Sequence, residues 1–282
     1  LQGKELSYNN LLDLESALST ILEFEYDQKQ NSSENTNAAV ILKHNNPCGA
    51  ALADSPSDAF RKALDCDSTS AFGGIVAFNN NVDLAAAELL SNIFLECVVA
   101  PSFDKEALKI LHNKKNLRLL QLNKENIKKD NESTFKSILG GILEQDIDNE
   151  VDQTNEWSCV TQIKPISEEF NDLRFSWKIC KHVKSNAIVI SKNQQTIGIG
   201  AGQMNRVGAA KIALDSAKDS AHGAVLASDG FFPFSDSVEI ANQYGIKSII
   251  QPGGSVRDQE SIDMCNKLGI SMIFTNKRHF LH

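Results

Sequence analysis

The chain has 282 residues, 41% hydrophobic and 23% charged, with a net charge of −8; this composition can bury a core and lies far from the disordered class. The acidic balance excludes a surface for nucleic-acid phosphates as the main activity. The longest apolar run, Ala38–Leu42, is far short of the ~18 residues of a membrane span, and the polar start Leu1–Glu5 carries no signal-peptide pattern, so a cytoplasmic protein is expected.

Six scattered cysteines without a C-x-x-C pair read as reduced thiols, most of them buried. The first residue is Leu, which fits a fragment or a processed chain.

In chain order, Asn9 or Asn10 caps a first helix with Leu11, Leu14, Leu18, Ile21 and Leu22 at helical spacing. Gln28–Asn37 is a polar connector. Ala38–Leu42 is a buried strand running directly into Lys43-His44-Asn45-Asn46-Pro47-Cys48-Gly49. Ser55-Pro56 opens a helix, Ile75–Phe78 is a strand, Asp83 starts an Ala/Leu-rich helix, and Cys97–Ala100 is a strand. Asp104 caps a helix to about His112, and Leu117–Leu122 is a strand. Asn123–Thr134 is a polar excursion, and a boundary near Gly140–Glu156 divides the chain into segments 1–150 and 151–282. Beyond it come a strand at Trp157–Ile163, a helix opened by Ser167, strands at Ala187–Ile190 and Thr196–Ile199, and a helix at Asn205–Ser220. A strand at Val225–Ala227 precedes a helix at Ser235–Tyr244. The chain closes with a strand at Ser248–Gln251, a helix at Ser255–Leu268 and a strand at Ser271–Phe274. Alternating helices and short buried strands make the class α/β with layered, partly parallel sheets.

Ala38–Asn46 echoes Asn186–Gln194 as an apolar strand running into Lys and amides. An ancient duplication and a coincidence of spacing both accommodate this.

Lys43-His44 ends a strand, where open α/β sheets gather ligands. A cation beside a proton acceptor suits stabilising an oxyanion while deprotonating a weak nucleophile; a solvated loop accommodates the same residues. Asn46-Pro47-Cys48-Gly49 invites comparison with zinc deaminases, which pair His-x-Glu with Pro-Cys-x-x-Cys. Here Asn46 replaces the Glu and Ala51 the second Cys, so zinc is excluded. Cys48 stays open as a nucleophile or a packing residue. Gly198-x-Gly200-x-Gly202, followed by Arg206, and Pro252-Gly253-Gly254-Ser255 each lead from a strand towards a helix. They read as anion sites or as plain glycine turns, and the first lacks the dinucleotide spacing. Phe231-Phe232-Pro233-Phe234 reads as an aromatic wall for a flat ligand or as core filling. The basic tail Lys277–His282 reads as a solvated end.

Together, LQGKELSYNN (1–10), KHNNPCGAA (43–51), STSAFGGIVAFN (68–79), FLECVVAP (94–101), KSNAIV (184–189), TIGIGAGQMNRV (196–207), ASDGFFPFSD (227–236), IIQPGGSVRD (249–258) and FTNKRHFLH (274–282) resemble the AICAR (5-aminoimidazole-4-carboxamide ribonucleotide) transformylase domain of the bifunctional purine biosynthesis proteins, bacterial type. The resemblance spans the chain in family order. It implies two cytidine-deaminase-like three-layer α/β/α subdomains and a homodimer with active sites between subunits. It also implies transfer of a formyl group from 10-formyltetrahydrofolate to the 5-amine of AICAR.

By resemblance, His44 is the base, Lys43 stabilises the oxyanion or protonates the leaving folate nitrogen, and Asn186 holds the formyl oxygen or the carboxamide. Phe72, Gly73, Glu96, Arg206, Phe231, Pro233 and Arg278 would bind AICAR, with Arg278 on its phosphate. Val207, Ser237 and Ser255 would meet the folate. Cys180, Val183, Ser185, Asp229 and His282 would hold a monovalent cation, usually potassium.

The family's IMP cyclohydrolase domain precedes this segment and is absent, so ring closure is not expected. An upstream Arg-Tyr-Gly and Asn-Pro-His-Gln motif that contacts the AICAR phosphate is missing as well. Losing one such charge-assisted contact weakens binding by about 10–150-fold. The rival expectation is therefore a folded, non-catalytic dimerisation or ligand-binding fragment.

Overall fold

Short runs of small and β-branched apolar residues form most strands of the large sheet, and helices, several of them closed by a side-chain cap, separate many of these strands. The structure, a computed structural model, describes residues 1–24, 36–122, 133–149 and 154–282. The 150/151 boundary and most of the polar stretches 28–37 and 123–134 lie outside the described residues.

Helix α1 (Tyr8–Leu22) is capped by Ser7 rather than by Asn9 or Asn10. The Ser7 hydroxyl accepts from the Asn10 amide while Asn10 Oδ1 accepts from the Ser7 amide at 3.0 Å. The capping box outcompetes a lone Asn because it satisfies two end amides at once. Strand β1 (Asn37–Lys43) turns through His44-Asn45 into β2 (Asn46–Ala53). The sequence had concealed β2, since Asn46-Pro47-Cys48-Gly49 reads as a loop; its pairing along β1 and the burial of Ala50 and Ala51 override the local signal.

Helix α2 (Pro56–Cys66) and the single turn α3 (Ser68–Ala71) precede β3 (Ile75–Phe78). They are followed by α4 (Leu84–Ser91), β4 (Cys97–Ala100), α5 (Lys105–Leu111) and β5 (Arg118–Gln121). An exposed hairpin, β6 (Ser133–Ile138) and β7 (Gly141–Asp146), stands apart as its own small sheet. The expected strand at 157–163 shrinks to the edge strand β8 (Ser158–Cys159).

The second half contains α6 (Ser167–Cys180), β9 (Ile188–Lys192), β10 (Gln195–Gly200), α7 (Arg206–Ala217) and β11 (Val225–Ser228). It continues with α8 (Asp236–Gln243), β12 (Ser248–Gln251), α9 (Asp258–Leu268) and β13 (Ser271–Phe274).

One mixed sheet runs β5-β4-β3-β1-β2-β10-β9-β11-β12-β13-β8. The order β2-β1-β3-β4-β5 of the first half recurs as β10-β9-β11-β12-β13, with the same antiparallel hairpin, antiparallel third strand and parallel outer strands. The halves join where antiparallel β10 meets β2 at Gln195 and Ala51. Helices α1 and α6 share one core on one face of the sheet; the helices of the other face form a separate core in each half.

The repeat extends to side chains, one residue out of register with the echo read from sequence. The turn residues His44-Asn45 match Asn193-Gln194, all four with φ between 54° and 61°. Gly49 matches Gly198: a Cβ there would lie 1.9 Å from the Ala63 carbonyl oxygen in α2, or 2.0 Å from that of Ala213 in α7. Only glycine lets each helix approach so closely.

Candidate active site

The topology collects the sequence-predicted residues along one edge of the sheet. The first half brings the β1–β2 turn and the N-terminal ends of β3 and β4; the second half brings the C-terminal ends of β10 to β13. Carboxyl strand ends are the usual ligand edge of open α/β sheets, and only the second half uses its parallel strands that way. The first half reaches this edge through its hairpin turn.

That turn is held from outside. Left-handed backbone costs an L-residue about 1–2 kcal/mol, and His44 and Asn45 both adopt it. The Asp13 carboxylate on α1 accepts from the His44 amide at 3.3 Å and from the Asn45 amide at 2.7 Å. Hydrogen bonds to a charged group contribute about 1.5–3 kcal/mol each, enough to offset the turn. Lys43 Nζ donates to the Phe72 carbonyl at 2.6 Å, leaving the ammonium two further protons. His44 is exposed.

Gly73 has φ 75°, and a Cβ there would sit 3.6 Å from the Phe94 ring and 3.9 Å from Lys43 Nζ. Phe72 and Phe94 lie with ring centroids 5.2 Å apart, both largely exposed. Glu96 follows Phe94 and pairs with Arg118 at 2.6 Å.

Asn46 joins the halves: its Oδ1 accepts from the Lys184 amide at 3.0 Å. Two residues on, Asn186 donates through Nδ2 to the Gln203 carbonyl at 2.7 Å and accepts through Oδ1 from Arg206 Nη2 at 2.7 Å. The amide keeps one N–H to give. Arg206 is buried; its Nη1 donates to Ser228 Oγ at 2.8 Å and to the fully buried carboxylate of Asp229. Asp229 also accepts from Ser185 Oγ at 2.5 Å and from the Ala187 amide at 3.1 Å. In the first half Asn79 occupies the corresponding position and accepts from the Ala38 amide at 2.7 Å.

The C-terminal tail closes over this network. The Ser185 amide donates to the Leu281 carbonyl and the His279 amide to the Asp229 carbonyl. A Cβ on Gly230 would come within 2.7 Å of the Phe280 ring. Arg278 is exposed, its guanidinium 5.5 Å from the Phe280 ring centroid.

The Phe231–Phe234 segment divides between core and surface. Phe232 is buried with its amide on Gln251 Oε1 at 3.1 Å, Phe231 and Pro233 are half-buried, and exposed Phe234 lies under the Arg257 guanidinium at 4.6 Å. Val207 and Ser255 are half-buried near the ends of β10 and β12, whereas Ser237 is fully buried in α8, its amide on Asp236.

For the expected cation, Ser185 and Asp229 are bonded to each other, and Cys180 Sγ donates to the Ala187 carbonyl at 3.8 Å. Val183 is buried beside them in sequence, and exposed His282 ends the tail. Carbonyl, hydroxyl and carboxylate oxygens fit a hard ion. Arg206 already matches the charge of Asp229. The Cys180 thiol contributes no thiolate, because burial raises it well above its ordinary range.

Cys48 is no better as a nucleophile. Burial pushes its thiol up to about 12, and its Sγ donates to the Ile41 carbonyl at 3.5 Å. It lines a groove of about 1000 Å³ with Lys43, His44, Cys66, Ala201 and Asp215.

Sequence reasoning missed Asp13, Asn46 and Gln203. The one signal for Asp13 is that Asp-Leu recurs in the helix preceding each hairpin, at Asp13-Leu14 and Asp172-Leu173. No helix of the described residues is long and apolar enough to cross a membrane.

A profile of the AICARFT/IMPCHase bienzyme family matches residues 1–216. The chain is 67% identical over all 282 residues to the bifunctional purine biosynthesis protein PurH of Prochlorococcus marinus subsp. pastoris (strain CCMP1986 / NIES-2087 / MED4), covering 54% of that protein. The same-named proteins of strains MIT 9515 and MIT 9211 are 66% and 60% identical over the same 282 residues, again with 54% of their length covered. The chain thus spans about half the length of the curated relatives it matches. It belongs to the AICARFT/IMPCHase bienzyme family.

Proposed function

We propose that this chain performs the formyl transfer of purine biosynthesis, from 10-formyltetrahydrofolate to the 5-amine of AICAR. The observation that carries the reading is the Asn46–Lys184 hydrogen bond. It sets the Lys43-His44 turn of one half against the Asn186–Arg206–Asp229 network of the other.

An amine conjugated to a carboxamide is a weak nucleophile, so proton removal accompanies attack. His44 takes that proton through the substrate carboxamide. The new bond joins the amine nitrogen to the formyl carbon, and the negative charge that develops on the formyl oxygen falls to Lys43 and the remaining N–H of Asn186. When the intermediate collapses, the bond from the formyl carbon to folate N10 breaks and N10 is protonated, with Lys43 as donor. Arg206 holds Asn186 in place from within the protein. Phe72, Gly73, Glu96, Phe231, Pro233 and Arg278 would line the AICAR side, and Val207 and Ser255 the folate side; buried Ser237 would act only through the backbone it packs.

A monovalent cation held by Cys180, Val183, Ser185, Asp229 and His282 would supply positive charge that fixes the tail against the start of β9. We read each half-sheet as one of two cytidine-deaminase-like subdomains, and the exposed Phe72–Phe94 pair beside Lys43 supports a homodimer with sites between copies. The reaction is read as cytoplasmic, and ring closure is assigned to no residue of this chain.

The test is tetrahydrofolate release by the complete gene product with saturating AICAR. Turnover that falls at least about 100-fold in His44→Ala and in Lys43→Ala, with folding intact, supports the reading. Near-normal turnover in those variants overturns the roles. Binding of both substrates without transfer by the wild-type protein overturns the activity.

A further inference from the structure

The turn that carries His44 is badly suited to its own sequence. Hairpin turns with two consecutive left-handed residues favour Asn-Gly or Asp-Gly; here His44 and Asn45 adopt φ 54° and 61°. Something beyond the turn has to hold it, and the Asp13 carboxylate does so, one oxygen on each turn amide.

The second half repeats the device. Asp172 on α6 accepts from the Asn193 amide at 2.8 Å and from the Gln194 amide at 2.6 Å, at φ 54° for both turn residues. That second turn carries no group able to accept a proton from a substrate. The protein thus contains the same clamp twice, once under a candidate base and once under two amides.

We propose that Asp13 is a positioning residue of the transfer site. It fixes the backbone of His44 relative to α1 and so sets where the imidazole stands with respect to Asn186. The inference rests on the reading of His44 as proton acceptor given above. Without Asp13 the turn amides take water as partner and the hairpin end is released to other geometries. The Asn46–Lys184 bond then restrains only its far side. Misplacement of a reacting group by about 1 Å costs about 100-fold in rate.

The experiment measures kcat and KM for both substrates in the complete gene product and in four variants: His44→Ala, Asp13→Ala, Asp172→Ala and the double variant Asp13→Ala/Asn45→Gly. In Asp13→Ala, kcat falls about 10–100-fold while both KM values stay within about twofold. In Asp172→Ala, which loses the same two bonds from the same kind of turn, kcat stays within about twofold although the melting temperature drops comparably. Asn45→Gly removes the steric penalty of left-handed backbone and restores kcat at least about threefold in the Asp13→Ala background. Unchanged kcat in Asp13→Ala overturns the proposal, as does an equal kcat loss in Asp13→Ala and Asp172→Ala. Failure of the underlying reading is visible separately, as wild-type turnover in His44→Ala, and that result overturns both.

Discussion

Glu23 follows the last turn of α1 and clamps that helix to α6. Its carboxylate lies 3.2 Å from both Lys181 Nζ and His182 Nε2, and its carbonyl accepts from Lys178 Nζ at 2.8 Å. Burial by itself raises the carboxyl, but the hydrogen bond and charge of His182, together with Lys181, outweigh it and bring it from 4.5 to about 2. Because the folded value lies below the unfolded one, the stability from this group is full above the unfolded value and fades as pH falls towards the folded one. At 1.36 kcal/mol per unit the contribution near neutrality is about 3 kcal/mol, of which about 2 kcal/mol is gone by pH 3. Glu23→Gln keeps the shape and removes the charge. Urea unfolding followed by tryptophan fluorescence should show the variant less stable by about 3 kcal/mol at pH 7, the gap narrowing to about 1 kcal/mol at pH 3. Asp148, which burial raises and His279 holds below its usual range, is also raised by the Glu23 charge, so in Glu23→Gln it titrates lower and takes a small part off the gap at pH 7. A gap of equal size at the two pH values, or none at pH 7, would refute the reasoning.

Further outcomes are expected for three glycines and for Cys48. Gly49→Ala and Gly198→Ala should each destabilise the fold by about 3 kcal/mol or more, because the added methyl meets a helix carbonyl at 1.9 or 2.0 Å. Gly141→Ala in the exposed hairpin, whose nearest neighbour is 4.0 Å away, should stay within about 0.5 kcal/mol by the same denaturant titration. Cys48→Ala should retain turnover and the folded wild-type thiol should react slowly with iodoacetamide at pH 8, given its rise to about 12; a tenfold loss of turnover would restore the thiol as a catalytic candidate.

The α/β class and most elements were legible because short apolar runs and helix caps are local signals. Ala38–Leu42 and Ser55-Pro56 announce themselves whatever they pack against. Strand β2 was hidden because its partners, β1 and β10, supply the reason for a strand that Asn46-Pro47-Cys48-Gly49 does not. The strand expected over 157–163 failed for the converse reason: alternation was present, but the ladder with β13 covers Ser158 and Cys159, and beyond it Val160 adds a single amide bond to the Met272 carbonyl. Within the site, Lys43, His44 and Asn186 stood out through the motifs around them. Asp13 and Asn46 did not, since their roles consist of bonds to backbone amides 32 and 138 positions away. The aromatic run Phe231–Phe234 showed a limit of another kind: composition identified an unusual stretch, yet only packing sorts buried Phe232 from exposed Phe234.

The seam in the sheet between β2 and β10 has a consequence for synthesis on the ribosome. The first half can pair its own five strands as soon as β5 has emerged, but β2 then remains a free sheet edge until β10 is made, about 75 residues later than β5. At roughly 5–20 residues per second this exposure lasts about 4–15 s, long enough for edge-to-edge pairing with a neighbouring nascent chain. Pro47, at the start of β2, lacks an amide to offer such a partner, and β2 brings little apolar bulk. The features that made this strand unreadable in the sequence are thus the ones that keep it from finding the wrong companion before the right one exists.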